Sequence, residues 1–491
     1  VAKSNILFLK ITPLTRSPTF PDLPVGEVLP ELLAGLAGGK DAVLVAPPGA
    51  GKTTCVPLAL LDASWRSGRK ILVLEPRRLA ARAAAGRMAH LLGERLGQAV
   101  GYRIRMDTRV GPSTVIEVVT EGILTRMLQS DPELSDVAAV VFDEFHERSI
   151  HADLALALTL DVRQAVRPDL RLVVMSATLD DDRVASVLPR GIVIRSEGRL
   201  FDVETHWSDQ PMPRFMDDAV VPAVRRALGE AEGDILVFLP GAGEIRRVAD
   251  RLEGVPGIVT RPLYGSLSFD AQDAALQPAP PGLRKIVLAT DIAETSLTID
   301  GIRVVIDSGM RRVPLHDPGT GLTTLVTRPI SQASANQRRG RAGRTAPGVC
   351  YRLWTRLEET HREPFDRPEI LDADLTPLAL ELACWGVGDR LALAWLDAPP
   401  EKAWREAVTL LRMLGAVGGS GGATPHGRRM AGFAAHPRLA HMILAADDTW
   451  AACGVAAVRC PPSPPWARSW HWPFRSGWRN GCRRIVPTGP R

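Results

Sequence analysis

Aromatic residues, cysteine pairs and long apolar runs are all scarce in this chain. Aromatics make up 5% of the 491 residues, and only 3 of them are tyrosines. Ahead of the final segment they form no platform for stacked bases, so sequence-specific reading of a nucleic acid is not expected. The 6 cysteines (Cys55, Cys350, Cys384, Cys453, Cys460 and Cys482) form no CxxC pair and no zinc-ligand grouping. That argues against a disulfide framework and a metal site of that kind, and a reduced cytoplasm is the expected setting. No apolar stretch is long enough to span a bilayer, so no membrane partner is expected. The opening Val1–Lys10 patch is too short for a signal peptide and lacks a small-residue cleavage region.

What is present describes a globular protein of several domains. Hydrophobic residues make up 45% and charged residues 23%, ordinary values for such a protein. The length sets an expectation of two to four domains. A net charge of +5 and a pI near 9.0 suit a phosphate-rich partner without requiring one.

From Leu23 to Ser196, short apolar runs alternate with helical patterns. Strands are expected at Ala42–Ala46, Lys70–Leu74, Thr114–Val119, Ala138–Phe142 and Leu170–Met175. Their unbroken apolar character fits a parallel sheet covered on both faces. A second block, Glu197 to Arg356, repeats the rhythm, with strands expected at Asp234–Leu239, Lys285–Ala289, Val304–Asp307 and Gly348–Leu353. Gln277–Gly282 reads as a surface loop. Beyond Arg362 helices take over, at Leu375–Trp385 and Trp404–Leu414, with a flexible turn at Val417–Ala423. Helical periodicity stops at Leu439–Ala446. After Asp448 there is no acidic residue, while Trp, Pro, Arg and Cys crowd together. Two readings remain open for that tail: a basic aromatic arm for nucleic acid, or a shifted reading frame in GC-rich DNA. Its composition favours the second, and little packed structure is expected there.

Several expected strands deliver chemistry at their carboxyl ends, where open α/β sheets bind ligands. The first leads into Ala46-Pro-Pro-Gly-Ala-Gly-Lys-Thr53, a phosphate-binding loop. Around Pro47, Pro48, Gly49, Ala50 and Gly51, backbone N–H groups can turn toward a β-phosphate at the positive end of the next helix. Lys52 can reach the β- and γ-phosphates, the Thr53 hydroxyl can ligate Mg²⁺, and Thr54 continues the loop. Ala46 stands where a first glycine is usual. Ala139–Phe142 delivers Asp143-Glu-Phe-His146. An acidic pair alone could be a solvated turn. Opposite a P-loop, Asp143 reads as the second Mg²⁺ anchor and Glu144 as the base for an attacking water. Far downstream, Gln337-Arg-Arg-Gly-Arg-Ala-Gly-Arg344 places Arg341 and Arg344 on one helical face. Two guanidinium groups from another domain could neutralise charge on a transferred phosphoryl group; the plainer alternative is a solvated basic face or an RNA-contact patch.

Together with Pro76-Arg-Arg78, Thr120-Glu-Gly122, Ser176-Ala-Thr178 and Ala289–Thr298, these segments resemble the ordered motif set of DEAH-box helicases. The resemblance spans Leu23 to Ala446. Phe145, Pro47-Pro48 and Trp385-Gly-Val387 make it similar to the bacterial HrpB-type branch. The resemblance implies an α/β fold with two tandem RecA-like P-loop domains built on parallel sheets, at 23–196 and 197–360, then a winged-helix and helical C-terminal region. Residues 1–22 would be an extension, 361–433 the winged helix, 434–448 the start of a helical ratchet domain and 449–491 an atypical tail. It implies catalysis by Lys52, Asp143, Glu144, His146, Gln337, Arg341 and Arg344, with His146 and Gln337 coupling the cleft. It also implies Arg87 on the nucleotide base, Ser176 and Thr178 linking hydrolysis to domain movement, and Arg77, Thr120, Gly241 and Thr290 gripping a single-strand backbone. ATP and Mg²⁺ are the implied cofactors. Single-stranded RNA is the implied partner, with DNA as an alternative polymer, and a monomer is expected. No glutamine-based adenine-reading motif precedes the P-loop, so broad nucleotide use is expected.

Two departures from the family pattern qualify these expectations. Asp291 stands where many members have Asn, beside the expected RNA path. The ratchet region should continue past Ala446, and here the odd tail follows it instead. An ATP-dependent RNA helicase moving 3′ to 5′ is the first functional reading. A nucleic-acid-dependent ATPase that clamps or remodels RNA without separating strands is the second.

Overall fold

A computed structural model of the chain describes residues 23–446, apart from 178–180, 199–200, 295–298, 318 and 434. The expectations for 1–22, for the tail and for Thr178 therefore lie outside the described residues. The described residues fall into two compact units: 23–375 together with Asp389–Ala403, and Thr376–Gly388 together with 404–446.

The first unit contains two large sheets. The first runs Asp107–Arg109, Val100–Ile104, Ile116–Thr120, Lys70–Glu75, Val137–Phe142, Arg171–Ser176, Asp41–Val45 and Gly191–Arg195 in spatial order. Every pairing is parallel except the first, which is a short antiparallel return. Five of these strands match the expected apolar runs to within two residues. They read as continuous apolar segments because helices cover both faces, so neither side needs polar residues. Ala42, Leu44, Ile71, Val73, Val141 and Val173 are all fully buried in the core on one face.

The second sheet is parallel throughout, in the order Ile258–Leu263, Arg284–Ala289, Asp234–Phe238, Ile302–Asp307, Gly348–Arg352 and Val203–Trp207. The loop expected at 277–282 precedes the Arg284–Ala289 strand. An antiparallel hairpin, Met310–Asp317 with Leu322–Pro329, rises beyond the Ile302–Asp307 strand. The two sheets meet through side chains. Leu79, on helix Arg78–Leu91 after the strand Lys70–Glu75, is buried in a cluster with Leu263, Ala293 and Ala342 of the second sheet's surroundings. Arg82 on the same helix lies over the Phe269 ring, 5.2 Å from its centroid.

The second unit is helical. Helices Thr376–Trp385, Pro425–Ala431 and Pro437–Ala445 pack together, and Glu401–Met413 leads into a single β-bridge between Val417 and Ala423. The turn expected at 417–423 is thus closed by pairing, with the Gly418 N–H donating to the Gly422 carbonyl at 2.9 Å. Among the described residues no helix is long and apolar enough to cross a membrane.

Candidate functional site

The strand Asp41–Val45 ends between Arg171–Ser176 and Gly191–Arg195, and the chain turns sharply there into Ala46–Thr53. The turn needs glycine at Gly51, whose φ is +93°. A Cβ on Gly51 would also come within 2.7 Å of the Leu23 side chain and 3.3 Å of Cys55 Sγ. Helix Lys52–Ala59 starts at once, so its free N–H groups face the loop. Lys52 is buried and folds back on the loop, donating from Nζ to the Ala46 carbonyl at 2.5 Å and the Pro47 carbonyl at 3.2 Å. These carbonyls hold the ammonium where a phosphate oxygen could take it over. Burial lowers the Lys52 pKa, while Glu144 and Asp143 work to keep its charge.

Asp143 follows the fully buried strand Val137–Phe142. Its carboxylate accepts from the Thr53 hydroxyl and, at 2.8 Å, from the Glu144 N–H. Burial raises its pKa to about 6, Glu144 adds to the shift, and Lys52 opposes it. Glu144 is buried and has a left-handed backbone, φ +48°, unusual outside glycine. That conformation turns the chain into a short 3₁₀ segment, Phe145–Glu147, that presents His146. His146 Nδ1 lies 3.6 Å from Glu144 Oε2 and accepts from the Ala177 N–H at 3.4 Å. Ala177 follows Ser176, itself fully buried, whose carbonyl accepts the Ala46 N–H at 3.0 Å. The Ser176 segment therefore touches both the phosphate loop and the His146 turn.

The second sheet supplies cations. Helix Gln332–Gly340 carries buried Gln337 and continues into the turn with Arg341. Arg341 donates from Nε to the Glu294 carbonyl at 2.9 Å. Arg344 lies against the phosphate loop, since a Cβ placed on Gly49 would be 3.7 Å from its Nε. Burial pushes the Arg344 pKa down to about 10, while Glu144 supports its charge. Burial and then the Arg344 charge lower the pKa of Arg341, with Glu144 and Glu294 opposing. The expected catalytic groups of both sheets thus meet in one cleft.

The remaining expected residues are spread around it. Arg87 is exposed on helix Arg78–Leu91, within electrostatic reach of Cys55. Arg77, His146 and Gln337 line one cavity of about 1380 Å³. Thr120, Gly241 and Thr290 each stand just before the helix or 3₁₀ turn that follows a strand, with no side-chain capping bond, and none of them lines that cavity. Gly241 lies under Arg312, whose guanidinium a Cβ would meet at 2.7 Å.

Four acidic residues near the site went unassigned from sequence. Glu75, at the end of its strand, is fully buried, and burial with Asp143 and Glu144 raises its pKa well above the usual range. A charged residue closing an apolar run was the available signal. Glu294 and Asp307 hold buried Arg338 at 2.8 and 2.9 Å, and Glu147 meets Arg77 at 3.2 Å. Nothing in sequence spacing pairs residues so far apart.

Comparison with known proteins agrees with this geometry. Residues 26–187 match the DEAD/DEAH box helicase family, and residues 219–346 match the Helicase conserved C-terminal domain. The chain is 50% identical over 441 residues to ATP-dependent RNA helicase HrpB of Escherichia coli, covering 89% of this chain and 54% of that protein. It is 38% identical over 453 residues to the pre-mRNA-splicing factor ATP-dependent RNA helicase prp22 of Schizosaccharomyces pombe, covering 90% of this chain and 38% of that one. The chain therefore spans about half the length of the first of these relatives and less of the second. A crystal structure of the Escherichia coli DEAH/RHA helicase HrpB superposes with a TM-score of 0.84 at 47% identity, covering 95% of this chain and 61% of that one. With both helicase domains present in order on two parallel sheets, the chain belongs to the DEAD/DEAH box helicases and resembles their HrpB-type members.

Proposed function

We propose that the chain is an ATP-dependent RNA helicase core that couples hydrolysis to 3′-to-5′ movement along a single strand. The observation carrying this reading is the approach of Arg344 to Gly49 of the phosphate loop, within reach of Glu144. It supports a nucleotide site made by both sheets, so that phosphate release would loosen the cleft.

In this reading the Lys52 ammonium leaves the loop carbonyls for the β- and γ-phosphates. Glu144 takes a proton from the water that attacks the γ-phosphorus as the bond to the ADP oxygen breaks. Arg341 and Arg344 balance the charge spreading over the phosphoryl oxygens. His146 and Gln337 relay the state of the cleft to the cavity that both line. The oxygens of Thr53 and Asp143 form a hard donor set, and burial raises the Asp143 pKa, which a cation would relieve. They fit Mg²⁺, which when bound would neutralise phosphate charge. Arg77, Thr120, Gly241 and Thr290 are assigned to the strand backbone, Arg87 to the base, and 361–433 to a winged helix.

A duplex with a 3′ single-stranded overhang tests the reading. Strand separation that requires ATP and fails with a 5′ overhang is expected. ATP-dependent release of single strands without any separation would instead make the chain a clamp or remodeller.

A further inference from the structure

Arg77 is held by both halves of the first unit. Its guanidinium meets Glu147, on the first sheet's side, at 3.2 and 3.3 Å. It also donates to the Asp291 carbonyl at 2.6 Å and lies 3.9 Å from the Asp291 carboxylate, on the second sheet's side. Burial works against its charge, but Glu147, Asp291 and Glu294 outweigh that effect and raise its pKa. All four side chains line the 1380 Å³ cavity. The Asp291 side chain is 47% exposed there, whereas Arg77 is 22% exposed.

The two acids that hold Arg77 sit close to the catalytic groups. Glu147 ends the 3₁₀ segment whose N–H bonds back to the Glu144 carbonyl at 2.9 Å. Asp291 opens the 3₁₀ turn Asp291–Ala293, and the Glu294 N–H closes it by bonding the Asp291 carbonyl at 2.9 Å. The Glu294 carbonyl in turn receives Arg341 Nε at 2.9 Å. One cation thus joins the backbone carrying the assigned base to the backbone seating the assigned arginine. An anionic polymer entering the cavity meets this cation paired to carboxylates, and phosphate and carboxylate compete for the same guanidinium.

We infer that Arg77 is an inter-lobe latch, closed on Glu147 and Asp291 without polymer and taken over by a backbone phosphate when RNA enters. Asp291 then sets how much RNA is needed to stimulate ATP turnover. This rests on the reading of the chain as an RNA-stimulated ATPase. Phosphate capture opens the bridge between the Glu144 turn and the Arg341 seat, so polymer occupancy is felt at both sides of the nucleotide. The carboxylate at Asp291 is a brake: it competes for Arg77 and repels the incoming phosphate.

Asp291→Asn keeps the size of the side chain and the carbonyl that Arg77 contacts, and removes only the charge. A 20-nucleotide oligouridine is titrated into the full chain, reading ATP turnover and, separately, binding by fluorescence anisotropy without nucleotide. The half-stimulating RNA concentration should fall roughly two- to fivefold, the size expected for a partly exposed ion pair, while the maximal rate stays within about twofold. The difference should shrink at 0.5 M salt. Glu147→Gln should lower the half-stimulating concentration further, because of the two carboxylates that of Glu147 lies closer to Arg77, at 3.2 Å against 3.9 Å. If the unsubstituted chain binds and responds to RNA but neither variant shifts the half-stimulating concentration, the latch is wrong and the helicase reading stands. If the unsubstituted chain neither binds oligouridine nor responds to it, that reading fails and the latch falls with it.

Discussion

The two sheets of the first unit share an architecture and carry opposite chemistry. At the strand ends of the first sheet stand Asp143, Glu144 and Glu75, next to a loop shaped for phosphate. The corresponding turn of the second sheet, after the strand Asp234–Phe238, reads Leu239-Pro-Gly-Ala-Gly243 and has no lysine or hydroxyl to follow. Its contribution is arginine. Arg338 is neutralised inside by Glu294 and Asp307, while Arg341 and Arg344 extend toward the first sheet's acids. In the proposed reading, one lobe binds the nucleotide and the other balances the charge of its reaction. On that reading, turnover would depend on closure of the two lobes.

Variants that strike one lobe and spare the other sharpen the contrast. The largest effect belongs to Glu144→Gln, which keeps size and removes the base. Turnover should fall on the order of 1000-fold while a fluorescent ATP analogue still binds, and undiminished phosphate release would end the assignment. Arg338→Ala strands two buried carboxylates in the second lobe and should cost about 3 kcal/mol. Urea titration reads that loss, and an unchanged midpoint would mean that the arginine is dispensable. Arg341→Ala leaves the phosphate loop intact and should slow turnover about 100-fold with nucleotide affinity retained. Equal loss of affinity would place Arg341 in binding rather than in catalysis.

The smallest expected effect lies in the first lobe. Burial raises the pKa of Glu121 to about 8, although the Ser149 hydroxyl, 2.6 Å away, opposes the shift. The folded state therefore keeps a proton that the unfolded chain releases near the ordinary glutamate value. Between those two pH values the folded state binds more protons, so this group's contribution to stability falls as pH rises toward 8 and then levels off. Glu121→Gln should remove that slope and raise stability at pH 8 by on the order of 1 kcal/mol. Melting curves from pH 5 to pH 9 that stay parallel for both proteins would contradict it.

How much of this was legible in the sequence depends on how each element is stabilised. Central strands such as Lys70–Glu75 and Val137–Phe142 are buried on both faces and announce themselves as apolar runs. Val203–Trp207, at one edge of the second sheet, carries exposed Glu204 and a half-buried His206 stacked on Tyr351, and has no such run. Ile258–Leu263 at the opposite edge is mostly half-buried, and the hairpin Met310–Pro329 is largely exposed, so neither was expected. The phosphate loop was legible because its chemistry is local. The Arg77 bridge was not, because Glu147 and Asp291 lie 70 and 214 residues away and only the fold unites them.

The ATPase rate of the purified chain, with and without single-stranded RNA and at low and high salt, tests the central claim of a nucleotide site shared by two lobes and opened by polymer. The account predicts strong stimulation by RNA at low salt that fades as salt screens the phosphate contacts. Hydrolysis at the same rate with or without RNA would contradict it.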